Sequence, residues 1–325
     1  MTVAVVSVED MNAGPALHSL TVSTQWLADY LGADKLVVLD ASVVPYTLPG
    51  GRSGQMSGHE LYLLDGHVPG AFFADVIREL SAPDAPFPVT RPSAERFASA
   101  VGALGIDNST TVVVYDSGAG QWASRVWWLF RSFGHNRVAV VDGGFAKWKQ
   151  EERPVETGHV EPPVTSFEAE EHPEFWVDKT YVESVLAGET EAVLVNASPA
   201  EEFSGATSPF SRPGHIPGSV SVPAVDVLDP VTGEFQAPAQ LRRTLAPVLT
   251  AARNLARRRG HAGHETTRQA VSGADVPIVV YCGGGIDASA DAFALTILGE
   301  RSVAVYDGSL MEWTADPNAL LAVSA

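Results

Sequence analysis

Cysteine is nearly missing from this sequence: one thiol, Cys282, in 325 residues. A single cysteine excludes an intramolecular disulfide, so nothing in the chain calls for an oxidising compartment. Positive charge is also short. Lys and Arg number 21 against 39 Asp and Glu, a formal net charge of −18, which opposes nucleic-acid binding because phosphate contacts need clustered basic side chains. No uninterrupted apolar stretch is long enough to cross a bilayer. The opening residues, MTVAVVSVEDMNAGPALHSL, hold a short apolar run with no basic residue before it, and Glu9 and Asp10 follow at once. That is a poor secretory signal. The expectation is a cytoplasmic protein with no membrane and no nucleic-acid partner. A small anionic substrate held in a locally positive pocket remains open.

What is present is an ordinary globular composition, 45% hydrophobic and 18% charged, at a length that usually makes two cores. The chain also repeats itself. VVLDAS (37–42), DGHVPGAFFADV (65–76), TVVVYDSGAG (111–120) and VAVVDGGFAKW (138–148) return as AVLVNAS (192–198), PGHIPGSVSVPAVDV (213–227), PIVVYCGGG (277–285) and VAVYDGSLMEW (303–313). His67 pairs with His215, 148 residues on; Asp116 pairs with Cys282, 166 on; Trp148 pairs with Trp313, 165 on. The second half therefore carries about eighteen extra residues between its histidine and cysteine motifs. They fall in the arginine-rich stretch 242–268, which reads as a solvated helix face.

Within each half, short β-branched runs are bounded by Gly, Asp or Ser, as buried parallel strands are. Between them lie helical patterns such as SAERFASAVGALG (93–105) and ASRVWWLFRSFG (123–134), each closed by glycine. The expected fold is α/β: two tandem three-layer domains, each with a mostly parallel central sheet flanked by helices. Residues 20–150 form the first and 178–325 the second. The Pro- and Glu-rich segment 151–177 reads as an extended linker, partly packed because Phe175 and Trp176 would be costly in water.

Cys282 directly follows the strand pattern IVVY and precedes Gly283, Gly284 and Gly285, with a helix expected from about Ala288. In parallel α/β sheets ligands bind beyond the carboxyl ends of the strands. Three glycines can turn their N–H groups toward a sulfur above a helix N-terminus, an arrangement that favours thiolate over thiol. Asp116, at the matched place in the first half, suggests one active and one silent copy.

At these residues the chain resembles the two-domain rhodanese-type sulfurtransferases, the group that includes thiosulfate and 3-mercaptopyruvate sulfurtransferases. The resemblance covers about residues 20–325 and rests on the G-H-[IV]-P-G turn in both halves, on SRVWWLFRSFGH and VDGGFAKW in the first, and on YCGGG and YDGSLMEW in the second. It implies that Cys282 takes sulfur from a small anionic donor, carries it as a persulfide and passes it to a cyanide or thiol acceptor, thioredoxin-like proteins included. It implies too that the first domain is catalytically silent. No metal or organic cofactor is required. The site residues it implies are Cys282 as nucleophile, with Gly283, Gly284, Gly285, Ile286, Asp287, Arg212 and His67 binding substrate.

Departures from the family pattern are specific. Glycine after the cysteine resembles the mercaptopyruvate type, yet Gly284 stands where that type has serine. Glu201 and Glu202 occupy a segment where a substrate-binding arginine is expected, which leaves Arg212 as the candidate clamp. Asp287 either raises the thiol pKa or caps the following helix. His67 either reaches the site or holds its own turn, as His215 would hold the other. Three further readings are set aside. A Cys-x5-Arg phosphatase loop fails because the sixth residue after Cys282 is Ala288. The glycines after Asp116 do not complete a dinucleotide fingerprint. HAGHE (261–265) lacks further metal ligands nearby.

Overall fold

The computed structural model describes residues 14–47, 53–262 and 276–324. HAGHE and the end of the basic stretch, apart from the helix backbone up to Ala262, lie outside the described residues. The described chain forms two compact units. One comprises the first half to residue 45 with 55–82 and 92–171; the other comprises 172 onward together with 83–91 and the described part of 46–54.

In the first unit the strands β1 (Thr21–Val22), β2 (Leu36–Asp40), β5 (Phe72–Phe73), β6 (Thr111–Tyr115) and β7 (Val138–Val141) make a sheet in the order β1-β7-β6-β2-β5. β3 (Val43–Thr47) and β4 (Ser53–Ser57) pair separately. In the second unit β8 (Trp176–Val177), β9 (Val193–Asn196), β10 (Val220–Ser221), β11 (Ile278–Tyr281) and β12 (Val303–Tyr306) follow the order β8-β12-β11-β9-β10. Every pairing in both five-stranded sheets is parallel. The two orders are one topology used twice, so the sequence repeat is a repeat of structure. Strands buried on both faces explain the unbroken Val and Ile runs: β6, β7, β9, β11 and β12 are buried along their whole length.

The helices of the first unit are α1 (Thr24–Tyr30), α2 (His59–Leu64), α3 (Ala94–Ala103), α4 (Gln121–Ser132) and α5 (Gly144–Gln150). Those of the second are α6 (Lys179–Leu186), α7 (Ala200–Ser204), α8 (Pro238–Thr244), α9 (Ala246–Ala262), α10 (Ile286–Ile297) and α11 (Ser309–Ala315). Ser93 caps α3 by accepting the N–H of Arg96 at 3.2 Å. Left-handed Gly105 and Gly134 end α3 and α4, as their place after each apolar pattern predicts. Of the expected linker, Phe167 is buried against Phe97 and Phe130, and Trp176 begins the edge strand of the second sheet.

Candidate active site

The two G-H-[IV]-P-G turns are built alike. His67 exchanges backbone hydrogen bonds with Glu156, and His215 with Ala322. The His67 ring stacks on Tyr62 at 3.8 Å with Nδ1 3.0 Å from the Tyr62 carbonyl. His215 stacks on Phe203 at 3.7 Å with Nδ1 2.7 Å from the Phe203 carbonyl. Behind the turns, the hydroxyls of Tyr115 and Tyr281 accept the N–H groups of Val68 and Ile216, each at 3.0 Å. Both imidazoles thus serve the turn in which they stand.

Each of those tyrosines ends a central strand, β6 or β11, and the next residue is Asp116 or Cys282. Asp116 is fully buried, and its carboxylate accepts four backbone N–H groups: Gly118 at 2.8 Å, Gly120 at 3.0 Å, Trp122 at 3.0 Å and Ala123 at 2.9 Å. In the second unit the loop is one residue shorter. Left-handed Gly285 caps α10 at φ +82°, as Gly120 caps α4 at φ +81°. The first-turn hydroxyls match as well, Ser289 donating to the Gly285 carbonyl at 2.8 Å and Ser124 to the Gly120 carbonyl at 2.7 Å.

In place of the carboxylate sits the Cys282 sulfur. Gly285 donates its N–H to Sγ at 3.1 Å, and the amides of Gly284 and Ala288 also favour the charged sulfur. The helix begins at Ile286, two residues before the expected Ala288, which carries the Ala288 amide into the cradle. Gly283 contributes its carbonyl instead, accepting the Met311 N–H at 2.9 Å. Ile286 is buried under the loop.

The expected thiolate is not the resting state. Burial, and then the charge of Asp287, push the Cys282 thiol up to about 11, against the pull of the three amides. Asp287 is not the helix cap, since Gly285 holds that place; it stands in the first turn, where burial lifts its carboxyl to about 6. Arg212 is committed elsewhere. Its guanidinium donates to the carbonyls of Asp316 (2.6 Å) and Ala319, fastening the end of α11 rather than offering a clamp. Glu202, on α7, is partly buried and close enough to Asp287 for the two charges to repel.

Ser309, the first residue of α11, escaped the sequence reading. Its hydroxyl accepts the Cys282 N–H at 3.2 Å and donates to the Tyr306 carbonyl at 2.8 Å, and the following amide of Leu310 donates to the Cys282 carbonyl at 3.0 Å. Ser309 holds the left-handed conformation, φ +49°, that Gly144 holds at +55° in the other copy. The signal was the contrast of VDGG with YDGS beside an otherwise conservative repeat.

A rhodanese-like domain model matches residues 23–151 and again 180–316. The chain is 34% identical over 312 residues to the human 3-mercaptopyruvate sulfurtransferase, covering 93% of this chain and 94% of that one. It is also 34% identical over 308 residues to the bovine thiosulfate sulfurtransferase, covering 91% and 92%. The crystal structure of the 3-mercaptopyruvate sulfotransferase SseA from Escherichia coli superposes with a TM-score of 0.70 at 31% identity, covering 90% of this chain and 98% of that one. A doubled parallel α/β fold with a cysteine on an amide-lined loop in one copy is thereby accounted for: the chain belongs to the two-domain rhodanese-type sulfurtransferases. Its chemistry is sulfur transfer, with a sulfur donor and a sulfur acceptor as substrates. Among the described residues no helix is long and apolar enough to cross a membrane.

Proposed function

We propose that Cys282 takes the sulfur of 3-mercaptopyruvate or thiosulfate as a persulfide and yields it to a thiol or cyanide, while the domain of residues 20–150 stays catalytically silent. The observation that supports this is the convergence of the Gly284, Gly285 and Ala288 amides on Sγ. A cradle with fixed donors acts on charge as it develops, so a thiol that rests protonated can still leave or attack as an anion. With mercaptopyruvate, the Cys282 thiolate attacks the donor sulfur and the C–S bond breaks. The persulfide anion forms, and the carbon left behind takes up the thiol proton to give pyruvate. With thiosulfate the S–S bond breaks and sulfite leaves with the electron pair. Glycine after the cysteine favours the mercaptopyruvate donor. In the first domain the carboxylate of Asp116 already occupies the matching cradle, which leaves no room there for a substrate anion.

The wider setting proposed is the cytoplasm, with a small thiol or a thioredoxin-like protein as acceptor; the lone cysteine is in keeping with a reducing compartment. A second reading, a sulfur carrier loaded by a partner protein, is favoured by Glu202 in place of a donor-binding arginine and by the commitment of Arg212. One experiment separates them. The purified protein is incubated with each donor, Cys282 is examined by intact mass for one added sulfur atom, and turnover is followed with cyanide or a thiol. Multiple turnovers abolished by Cys282→Ser support the enzyme, whereas loading without turnover supports the carrier. No gain of sulfur with any donor overturns both.

A further inference from the structure

We propose that a cavity at the β8 edge of the second sheet, apart from the cysteine loop, binds an aromatic α-amino acid as a zwitterion, its carboxylate on Arg91 and its ammonium group on Asp307 and Glu312. The cavity holds about 450 Å³, within the range of small-molecule sites. Phe87, Trp176 and Tyr181 line it together with Arg91, Asp307 and Glu312, and every lining residue belongs to the second unit. None of residues 282–288 lines it. Direct contacts bring the charged groups together. The Arg91 N–H donates to the Asp307 carboxylate at 2.8 Å, and the Arg91 guanidinium lies over the Trp176 ring, 5.7 Å from its centroid. Gly308, the next residue after Asp307, is also on the wall, and a Cβ there would run into the Glu312 carboxylate, which is thereby placed against the Gly308 main chain. Two carboxylates and a guanidinium thus surround one corner. Asp178, a third acid on the wall, caps α6 by accepting the Tyr181 N–H at 2.8 Å.

The first unit shows the same corner closed by the chain itself. Thr21 and Trp176 hold the same register against β7 and β12, and Lys147 and Glu312 the same place before the paired tryptophans Trp148 and Trp313. There Lys147 reaches Glu151 at 4.0 Å, and Glu151 also accepts the Thr24 hydroxyl and the Arg153 guanidinium, each at 2.6 Å. In the second unit the acid Glu312 replaces that lysine, and the segment 83–91 brings Phe87 and Arg91 to a cavity instead. The segment is strained: Val89 is buried and left-handed at φ +54°, a conformation rare for a β-branched residue, and strain of this kind gathers where ligands are clamped. A guanidinium fork matches a carboxylate through two parallel hydrogen bonds, while Asp307 and Glu312 suit an ammonium group. An anion alone would meet the two carboxylates, and an amine alone would gain nothing from Arg91. An α-amino acid carries both charges on neighbouring atoms, as this corner requires, and the three rings offer apolar faces to an aromatic side chain.

The test is calorimetric titration of the full chain with four ligands: L-phenylalanine, phenethylamine, which lacks the carboxylate, 3-phenylpropanoate, which lacks the ammonium group, and L-alanine, which lacks the ring. L-Phenylalanine should bind tighter than each of the others by at least about tenfold. Arg91→Gln should bring it down to the affinity of phenethylamine. Glu312→Gln, with Asp307 still present, should narrow its lead over 3-phenylpropanoate to about threefold. Should Glu312→Gln fail to fold, Arg91→Gln and the ranking in the native protein decide. The proposal is overturned by an absence of L-phenylalanine binding up to about 10 mM, by equal affinity for any of the three analogues, or by a ranking that Arg91→Gln leaves unchanged. None of the four ligands carries sulfur, so either result leaves the persulfide reading of Cys282 where it stood.

Discussion

Asp116 and Cys282 fill the same place in two copies of one fold, each directly after a buried central strand and before a left-handed glycine that caps the next helix. The Asp116 carboxylate takes four peptide N–H groups, and the sulfur of Cys282 has three that favour its charge. One copy thus keeps a carboxyl group fixed among its donors, where burial raises its pKa against the pull of the four N–H groups, while the other keeps the donors for a charge that comes and goes. Asp116→Asn turns an amide NH2 toward those N–H donors and should cost about 3 kcal/mol of stability. Urea unfolding followed by far-UV circular dichroism measures it; a loss below about 0.5 kcal/mol would mean the four bonds contribute little net free energy.

The resting thiol supplies a second prediction. Its pKa of about 11 comes first from burial and then from the Asp287 charge. Above the Asp287 pKa of about 6, the carboxylate is ionised and opposes the thiolate. Asp287→Asn removes only that second contribution, so the pKa falls and the thiolate fraction at pH 8 rises, by up to about tenfold for a shift of one unit. Iodoacetamide alkylation rates measured against pH should show a midpoint near 11 in the native protein and a lower one in the variant. An unchanged midpoint would mean that Asp287 does not act on the sulfur through its charge.

The three glycines after Cys282 should respond unequally. A Cβ on Gly284 would meet only the Met311 methyl at 3.9 Å, so Gly284→Ser adds the hydroxyl of the mercaptopyruvate type without a clash and should leave the melting temperature within a few degrees. Gly285 is left-handed at φ +82°, a conformation that costs an L-residue about 1–2 kcal/mol. Gly285→Ala should cost about that much and shift the N–H now 3.1 Å from Sγ, slowing sulfur loading by about tenfold. Equal loading rates for the two variants would show that the cap geometry does not hold the cradle.

Much of this was legible because the repeat carries backbone information. The paired Gly-His turns, the strand-ending tyrosines and the glycine caps each return at matched spacing, so two copies of one sheet could be read without any structure. What was not legible depends on solvent access and on where long side chains end. The sulfur reads as activated beside three glycines, but its burial, which sequence does not encode locally, reverses the resting pKa. Arg212 precedes the G-H-I-P-G turn, yet carbonyls more than a hundred residues away take its guanidinium. Asp287 reads in sequence as the helix cap, but Gly285 holds that place and the Asp287 charge instead raises the thiol pKa.

Ser309 gives the sharpest remaining contrast. It holds a backbone conformation that favours glycine, at φ +49°, and its partner in the repeat is glycine at +55°. The strain of about 1–2 kcal/mol is offset by a hydroxyl that accepts the Cys282 N–H and donates to the Tyr306 carbonyl. Ser309→Gly loses those hydrogen bonds but also the strain, so its stability should stay within about 1 kcal/mol of the native protein. Ser309→Ala keeps the strain and leaves the buried Cys282 N–H without its acceptor, and should cost about 2–3 kcal/mol. Thermal unfolding ranks the two. If alanine is tolerated as well as glycine, the hydroxyl is not what fastens the cysteine loop to the start of α11, and the left-handed serine needs another explanation.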